Sequence, residues 1–367
     1  MRRIVHYYPD AMGNSGVTHA LWTWARAQAA SGAEVCVLHA PSSQPTTAAS
    51  FVSKDLGPGL VEKSVSHRGR HRLARWPVGL DRYLGRNDLL VLHEGWVPSN
   101  LVAAAAARRA CVPYVVMPHG VYEPAWTEYL KPPLSLRRRL ERRLLERAAA
   151  VHVFFDSEIA VVRSLAPCAS FMTIPTGFDL PEERWTGGGG YLAWVGRIDP
   201  INKGLDVLAR AIARLDPDER PVVRIQGYDY KGGIACLRRI IDELAVREWV
   251  HLDGAIAGAE KTRFLQHGDG YLLPSRWECH SLALLENLAL GVPCLVSSVI
   301  HIARTLDRTG AAVLAPPSDT ELAYALGRLT AAGRDIAGRG RALVREAFNW
   351  TTLLPRFHAA LGSLGLQ

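Results

Sequence analysis

The sequence predicts an α/β fold made of two successive parallel-sheet domains, each with helices on both faces of its sheet. Three observations predict it. Short apolar stretches alternate with segments of roughly 10 to 15 residues that are apolar at helical spacing, and this alternation runs twice along the chain. The 367 residues, 48% of them hydrophobic, suffice for two cores. Between the two runs lies Asp179-Leu-Pro-Glu-Glu-Arg-Trp-Thr-Gly-Gly-Gly-Gly190, which has linker composition and no apolar period.

The elements follow in order. Residues 2–8 read as a strand, 18–31 as a helix closed by Gly32, and 34–40 as a second strand, together a βαβ unit. Residues 88–93 continue as a strand, 100–110 as a helix, 113–118 as a strand, 134–149 as a helix, and 151–155 and 171–175 as strands. The second run opens with strand 191–195, helix 204–215, strand 221–226, helix 233–246, strand 249–252 and helix 259–267. Strand 269–273, helix 281–290 with Ser281 as N-cap and Gly291 past its end, and an amphipathic helix over 350–364 complete it. Alternation of this kind gives parallel sheets, whose ligands bind at the carboxyl ends of the strands.

Composition excludes some classes. No apolar run approaches the roughly 18 to 20 residues that cross a bilayer, and the first residues lack a sustained apolar signal region, so a cytoplasmic protein is expected. Cys36, Cys111, Cys168, Cys236, Cys279 and Cys294 are scattered without a C-x-x-C pair and read as reduced core residues. Cys279-His280 has no second pair at ligand spacing, and Asp216-Pro-Asp218 reads as a turn, so no metal site is expected. A net charge of +8, concentrated in residues 68–75 and 137–147, favours anionic partners. Nucleotide phosphates and an anionic membrane surface both fit; so does a solvated helix face with Glu141 and Glu146 paired to arginines. Nucleic acid does not, because no DNA- or RNA-binding signature accompanies the charge.

Four segments carry the chemistry. Glu278, in the loop after strand 269–273, and Glu286, in the helix that follows, are placed to accept hydrogen bonds from separate groups of ligand hydroxyls, such as those of sugars and riboses. Gly196-Arg-Ile-Asp-Pro-Ile-Asn-Lys-Gly204 joins a strand to a helix, where Arg197 and Lys203 can converge on a diphosphate. The first βα turn, residues 9–17, brings Gly16 to the start of a helix but lacks the G-x-G-x-x-G dinucleotide pattern. His119 follows strand 113–118 in Met117-Pro-His-Gly-Val-Tyr-Glu-Pro-Ala-Trp126, at another carboxyl end.

Pro274-Ser-Arg-Trp-Glu278 with Glu286 resembles the E-x7-E segment of retaining glycosyltransferases of the GT-B fold, above all glycosyltransferase family 4. Cys279, His280 and Ser281 stand where that family usually has Gly-Phe-Gly. The stretch from Gly196-Arg197 to Lys203-Gly204 resembles the family's Gly-Arg and Lys-Gly stretch, and Ile174-Pro-Thr-Gly-Phe-Asp179 its Ile-Pro-Asn-Gly-Val-Asp. The His119 segment is similar to the one bearing an active-site histidine in a bacterial branch of the family.

The resemblance implies a GT-B enzyme of two Rossmann-like domains facing a central cleft: an acceptor-side domain over 1–180, a linker at 181–190, a nucleotide-sugar domain over 191–348, and a helix over 349–367 crossing back to the first domain. It implies retaining transfer of a sugar from a nucleoside diphosphate sugar to a hydroxyl of a glycan, lipid-linked or small-molecule acceptor, as in polysaccharide biosynthesis. Glu286 would hold the ribose, Glu278 the donor sugar's hydroxyls, and Arg197 and Lys203 the diphosphate. Gly16, Cys279, His280, Ser281 and Leu282 would face the donor, and His119 the transferred sugar. No obligatory metal or other cofactor is implied. A GT-B-like epimerase or phosphorylase, and a non-catalytic sugar-nucleotide-binding partner subunit, remain open at this stage, as does peripheral contact with an anionic membrane.

Overall fold

A computed structural model describes residues 2–13, 15–41, 56–69, 75–124 and 135–366. The chain divides into two compact units, one formed by Met1–Gly177 with Trp350–Gln367 and the other by Phe178–Asn349.

In the first unit the order is β1 (Arg3–Tyr7), α1 (Gly16–Ala30), β2 (Val35–His39), β3 (Leu60–Ser64), β4 (Asp88–His93), α2 (Pro98–Arg109), β5 (Tyr114–Met117), α3 (Ser135–Glu146), β6 (Ala150–Val153), α4 (Ser157–Leu165) and β7 (Phe171–Thr173). The strands form a parallel sheet in the order β3-β2-β1-β4-β5-β6-β7. The central strands are mostly apolar and, apart from half-buried Arg3 at the start of β1, buried throughout, as strands covered on both faces must be. Residues 350–367 complete this unit through the C-terminal helix Trp350–Ser363, whose Trp350 and Phe357 rings lie 4.8 and 5.4 Å from that of Trp24 in α1. Trp24 Nε1 also donates to Thr176 Oγ1 at 3.1 Å.

The second unit runs β8 (Leu192–Ile198), α5 (Leu205–Arg214), β9 (Val223–Asp229), α6 (Gly233–Glu243), β10 (Val250–Gly254), α7 (Gly258–His267), β11 (Gly270–Leu273), α8 (Leu282–Leu290), β12 (Cys294–Ser297), α9 (Ala303–Thr309), β13 (Val313–Ala315) and α10 (Asp319–Leu343). Its sheet is parallel in the order β10-β9-β8-β11-β12-β13. Trp194, Leu208, Ile212, Leu272, Leu295 and Leu326 form the centre of its core.

Several expectations are corrected. The stretch of linker composition is a strap on the second unit. Trp185 N donates to Leu290 O at 2.9 Å, Gly187 N to Gln266 O at 3.0 Å, Gly188 N to Asp269 Oδ1 at 2.6 Å and Gly189 N to His267 O at 2.8 Å. The glycines there follow the end of α7 closely enough to satisfy its last carbonyls. The units part at Gly177 and again at Asn349, not over 181–190. Strand β8 reaches Ile198, so Gly196 and Arg197 are strand residues. Cys111 and Cys168 are exposed, and only Cys36 and Cys294 are buried core cysteines. Among the described residues no helix is long and apolar enough to cross a membrane.

One close approach shapes the second unit. Gly204 precedes α5 with φ at 65°, and a Cβ on it would fall 2.0 Å from the carbonyl oxygen of Pro274. Only glycine allows both that conformation and that contact. Gly204→Ala is therefore expected to cost about 2 kcal/mol or more, read as a drop of several degrees in the thermal unfolding midpoint. An unchanged midpoint would show that this junction yields freely.

Candidate functional site

Strand order reverses direction between β8 and β11, and such switch points in parallel sheets open a crevice at the carboxyl ends of the strands. Two loops leave the sheet there, 199–204 toward α5 and 274–281 toward α8, and a buried carboxylate ties them together. Asp206, 2% exposed, accepts from Arg276 Nη1 at 2.7 Å and Nη2 at 2.8 Å, and also pairs with Arg210 one turn along α5. The bond to Asp206 holds the Arg276 guanidinium above its ordinary pKa. Arg276 N donates to Asn202 O at 3.0 Å, and Asn202 Nδ2 donates to Trp277 O at 3.1 Å.

The predicted ligand groups stand on this platform. Lys203 Nζ lies 2.5 Å from Glu278 Oε2, with the two side chains 17% and 15% exposed. Lys203 is thus not a solvated surface lysine. Ser275 Oγ donates to the same carboxylate oxygen at 3.3 Å. Arg197 Nη2 donates to Asn202 Oδ1 at 3.2 Å, and its guanidinium sits 4.1 Å from the centroid of the Tyr230 ring, within cation–π range. Asp199 is 3.8 Å away, too far for a hydrogen bond, so Asn202 and Tyr230 hold this arginine. Arg197 Nε is buried and has no hydrogen-bond partner among the described residues.

Glu286 lies in α8, 15% exposed, with Lys261 of α7 2.8 Å from its Oε2. Ser281 caps α8, its Oγ accepting from Leu284 N at 3.3 Å; Leu282 is the first helical residue, and Gly291 closes the helix at φ 83°. Cys279 and His280 are half-buried in the loop before the cap, and the His280 ring lies 6.0 Å from that of Phe348. Both glutamates act on Tyr271 of β11: burial first, then the charges of Glu278 and Glu286, push its phenol well above the ordinary value. Two cations, Arg197 and Lys203, and two carboxylates, Glu278 and Glu286, therefore gather on the same side of this one unit.

Gly16 and His119 belong to the first unit. Gly16 is the exposed first residue of α1, behind Ser15, whose Oγ accepts from Thr18 N at 3.1 Å. A Cβ at Gly16 would meet nothing within 4 Å; the crowded glycine of this turn is Gly13, where a Cβ would fall 2.3 Å from Asp10 Oδ2. His119 follows β5 with φ at 57°, and its Nε2 lies 2.9 Å from His93 Nδ1. Trp126 and the rest of the expected charged stretch at 70–74 lie outside the described residues. Glu146 pairs with Arg142 as a solvated helix face would have it, at 2.9 Å, but Glu141 is buried and accepts from Trp96 N and Tyr122 OH at 2.7 and 2.5 Å. Asp216 leads into an exposed 3-10 turn, Pro217–Glu219, and among the described residues no cluster of three or more His, Cys, Asp or Glu could hold a metal ion.

Sequence reasoning missed Asn202, Tyr230 and Lys261, whose roles depend on which loop faces which. It also missed His6 and His93, although a histidine inside an otherwise apolar strand was a readable signal.

The fold and the sequence match known proteins. A family model for the glycosyl transferase 4-like domain matches residues 15–177, and one for glycosyl transferases group 1 matches residues 189–332. HepE of Anabaena, solved in complex with UDP-glucose, superposes with a TM-score of 0.79 over 99% of this chain and 100% of its own, at 17% identity. Sucrose-phosphate synthase from Thermosynechococcus elongatus gives 0.75 over 99% of each chain at 18% identity. The MMP alpha-(1->4)-mannosyltransferase of Mycolicibacterium hassiacum is 27% identical over 156 residues, which span 41% of this chain and 38% of that protein. Fold and matches together define a glycosyltransferase of the GT-B class. Its first domain is of the glycosyl transferase 4-like type and its second of the glycosyl transferases group 1 type.

The buried histidines of the first unit set an acid limit. Burial lowers His6 and His152 to about 4, so both fold neutral. Unfolding raises them to an ordinary value near 6.5, and the unfolded chain binds the extra protons. Stability is thus whole above about pH 6.5 and lost as pH falls from there toward about 4. Thermal midpoints across that window should decline steadily; a flat profile would count against neutral buried imidazoles.

Proposed function

We propose that this chain is a retaining glycosyltransferase that moves a sugar from a nucleoside diphosphate sugar to an acceptor hydroxyl without an obligatory metal. The observation that carries the reading is the cation pair at the switch point of the second unit. Arg197 is held by Asn202 and Tyr230 with a buried Nε–H that has no partner among the described residues, and Lys203 sits beside Glu278. An N–H donor buried without an acceptor is rare and costly, and a diphosphate oxygen would relieve it. Two fixed cations can also neutralise the charge that grows on the diphosphate as it leaves.

In this reading Lys203 shares its charge between Glu278 and the diphosphate. Glu278, kept in place by Lys203 and Ser275, accepts from the donor sugar's hydroxyls. Glu286 takes the ribose hydroxyls, with Lys261 holding its carboxylate. The backbone at Cys279, His280, Ser281 and Leu282 lies against the donor at the start of α8, and Gly16 and His119 serve the same reaction from the first unit. Retention follows a front-face path in which the departing phosphate takes the acceptor's proton, so no separate general base is assigned. The nucleotide-sugar donor is supported by the UDP-glucose complex of HepE and by the mannosyltransferase match. On α3, Arg138, Arg139 and Arg143 are exposed and Leu136 is 65% exposed, which supports peripheral contact with an anionic membrane surface on the cytoplasmic side and a lipid-linked acceptor.

A thermal-shift screen of UDP, GDP, ADP, TDP and their sugars identifies the donor, and release of the free diphosphate only with acceptor present separates transfer from epimerase or phosphorylase chemistry. With that donor, Arg197→Ala and Lys203→Ala should each lower kcat by about 10²-fold or more, whereas Glu286→Ala should act mainly on the donor KM. Near-normal turnover in both cation variants would remove the assigned roles. Chelator should leave the rate unchanged; a loss restored by magnesium or manganese overturns the metal-free reading.

A further inference from the structure

Lys203 and Glu278 meet across two loops, and one arginine is bonded on both sides of Lys203. Arg276, two residues before Glu278, donates from Nη1 to Asp206 Oδ1 at 2.7 Å and from Nη2 to Asp206 Oδ2 at 2.8 Å. The same Nη1 donates to Ile201 O at 2.6 Å, and the Arg276 backbone N–H donates to Asn202 O at 3.0 Å. Lys203 is thereby bracketed: Ile201 and Asn202 just before it and Asp206 just after it are all bonded to Arg276. Asn202 Nδ2 returns a bond to Trp277 O at 3.1 Å, next to Glu278 itself.

Balancing the charge of Asp206 does not by itself call for this arrangement. Asp206 lies in the first turn of α5, where the helix dipole favours an acid, and Arg210 pairs with it from one turn along. What the planar fork of Arg276 adds is a fixed link between the loop after β8 and the loop after β11, with a geometry that neither an ammonium nor an amide copies. The Lys203–Glu278 pair needs such a link. Its side chains are long, 17% and 15% exposed, and lose rotamer freedom when held 2.5 Å apart. An ion pair with access to solvent contributes little unless the backbones that carry it are already in place.

We propose that Arg276, anchored on Asp206, is a positioning residue that holds the Lys203 ammonium on the Glu278 carboxylate, so that cation and acid meet one ligand as a preformed unit. That the ligand is a nucleoside diphosphate sugar rests on the glycosyltransferase reading; the positioning does not.

The test is acetylation of lysine amines by N-acetoxysuccinimide on the full chain, followed by mass spectrometry. Cleavage at arginine leaves Lys203 and Lys261 on separate peptides, residues 198–210 and 248–263. Lys261, 2.8 Å from Glu286, is the internal reference. Arg276→Gln should speed acetylation of Lys203 about fivefold or more relative to Lys261. Asp206→Asn should do the same, and the two changes together should add little to either, because both break one link. Equal acceleration at Lys203 and Lys261 would mean general loosening, and an unchanged Lys203 would mean a pair held without Arg276; each overturns the proposal. So does a wild-type Lys203 that reacts as fast as the exposed Lys63, a comparison that needs no variant to fold. With a donor in hand, Arg276→Gln should lower kcat about tenfold, since small displacements of a catalytic group are costly. It should cost little more in a chain that already carries Lys203→Ala, and a further tenfold loss there would overturn the positioning role. Because labelling needs no donor, the expected labelling in a chain inert toward every nucleotide sugar would sink only the activity. An active transferase whose Lys203 ignores Arg276→Gln would sink only the positioning.

Discussion

The second unit is organised around the carboxylate of Asp206. It is buried at the first turn of α5 and takes two guanidinium groups, Arg276 through both of its Nη atoms and Arg210 from its own helix. A carboxylate this far from water must be matched by opposite charge and filled with hydrogen bonds. Both conditions are met by drawing the loop after β11 onto the loop after β8. The contact between Gly204 and the Pro274 carbonyl and the bonds through Asn202 then follow as parts of one junction. Lys203 and Glu278 meet because that junction sets the register of their loops.

Parallel topology explains why the polar groups gather where they do. In both units the central strands are covered on both faces, so functional side chains can reach solvent only at strand ends. The second unit uses its switch point for a cationic and acidic cluster. The first unit uses β1 and β4, the pair at which its own strand order reverses, for His6 and His93. One edge carries a cluster of charges, the other a chain of imidazoles.

How much of this was legible in the sequence depends on which force set each feature. The central strands were readable because burial on both faces leaves a continuous apolar run; residues 88–93 match β4 end to end. Strands β3, β12 and β13 and helices α4, α9 and α10 escaped, being at edges or in weakly periodic stretches where tertiary contacts decide. Arg197, Lys203, Glu278 and Glu286 were legible through spacing, yet Lys261 was not, because its pairing with Glu286 depends on how α7 lies against α8. The tetraglycine misled in the other direction: its composition suits a linker, but its N–H groups are used to close the end of α7. Glycine chemistry was likewise visible at Gly16, whereas the steric demand falls on Gly13 and Gly204.

The second unit is an insertion between β7 and the last helix of the first, and the two crossing segments run side by side, with Phe178 N donating to Phe348 O at 2.8 Å and Gly177 packed under the Trp350 ring. This has a consequence for biosynthesis. A ribosome delivers the whole second unit before Trp350 and Phe357 emerge, so the inserted unit is complete while its host still lacks the aromatic cover over Trp24. The host unit is begun before the inserted one and closes after it, when Trp350 and Phe357 seal the side of α1 that presents Trp24 to the interior.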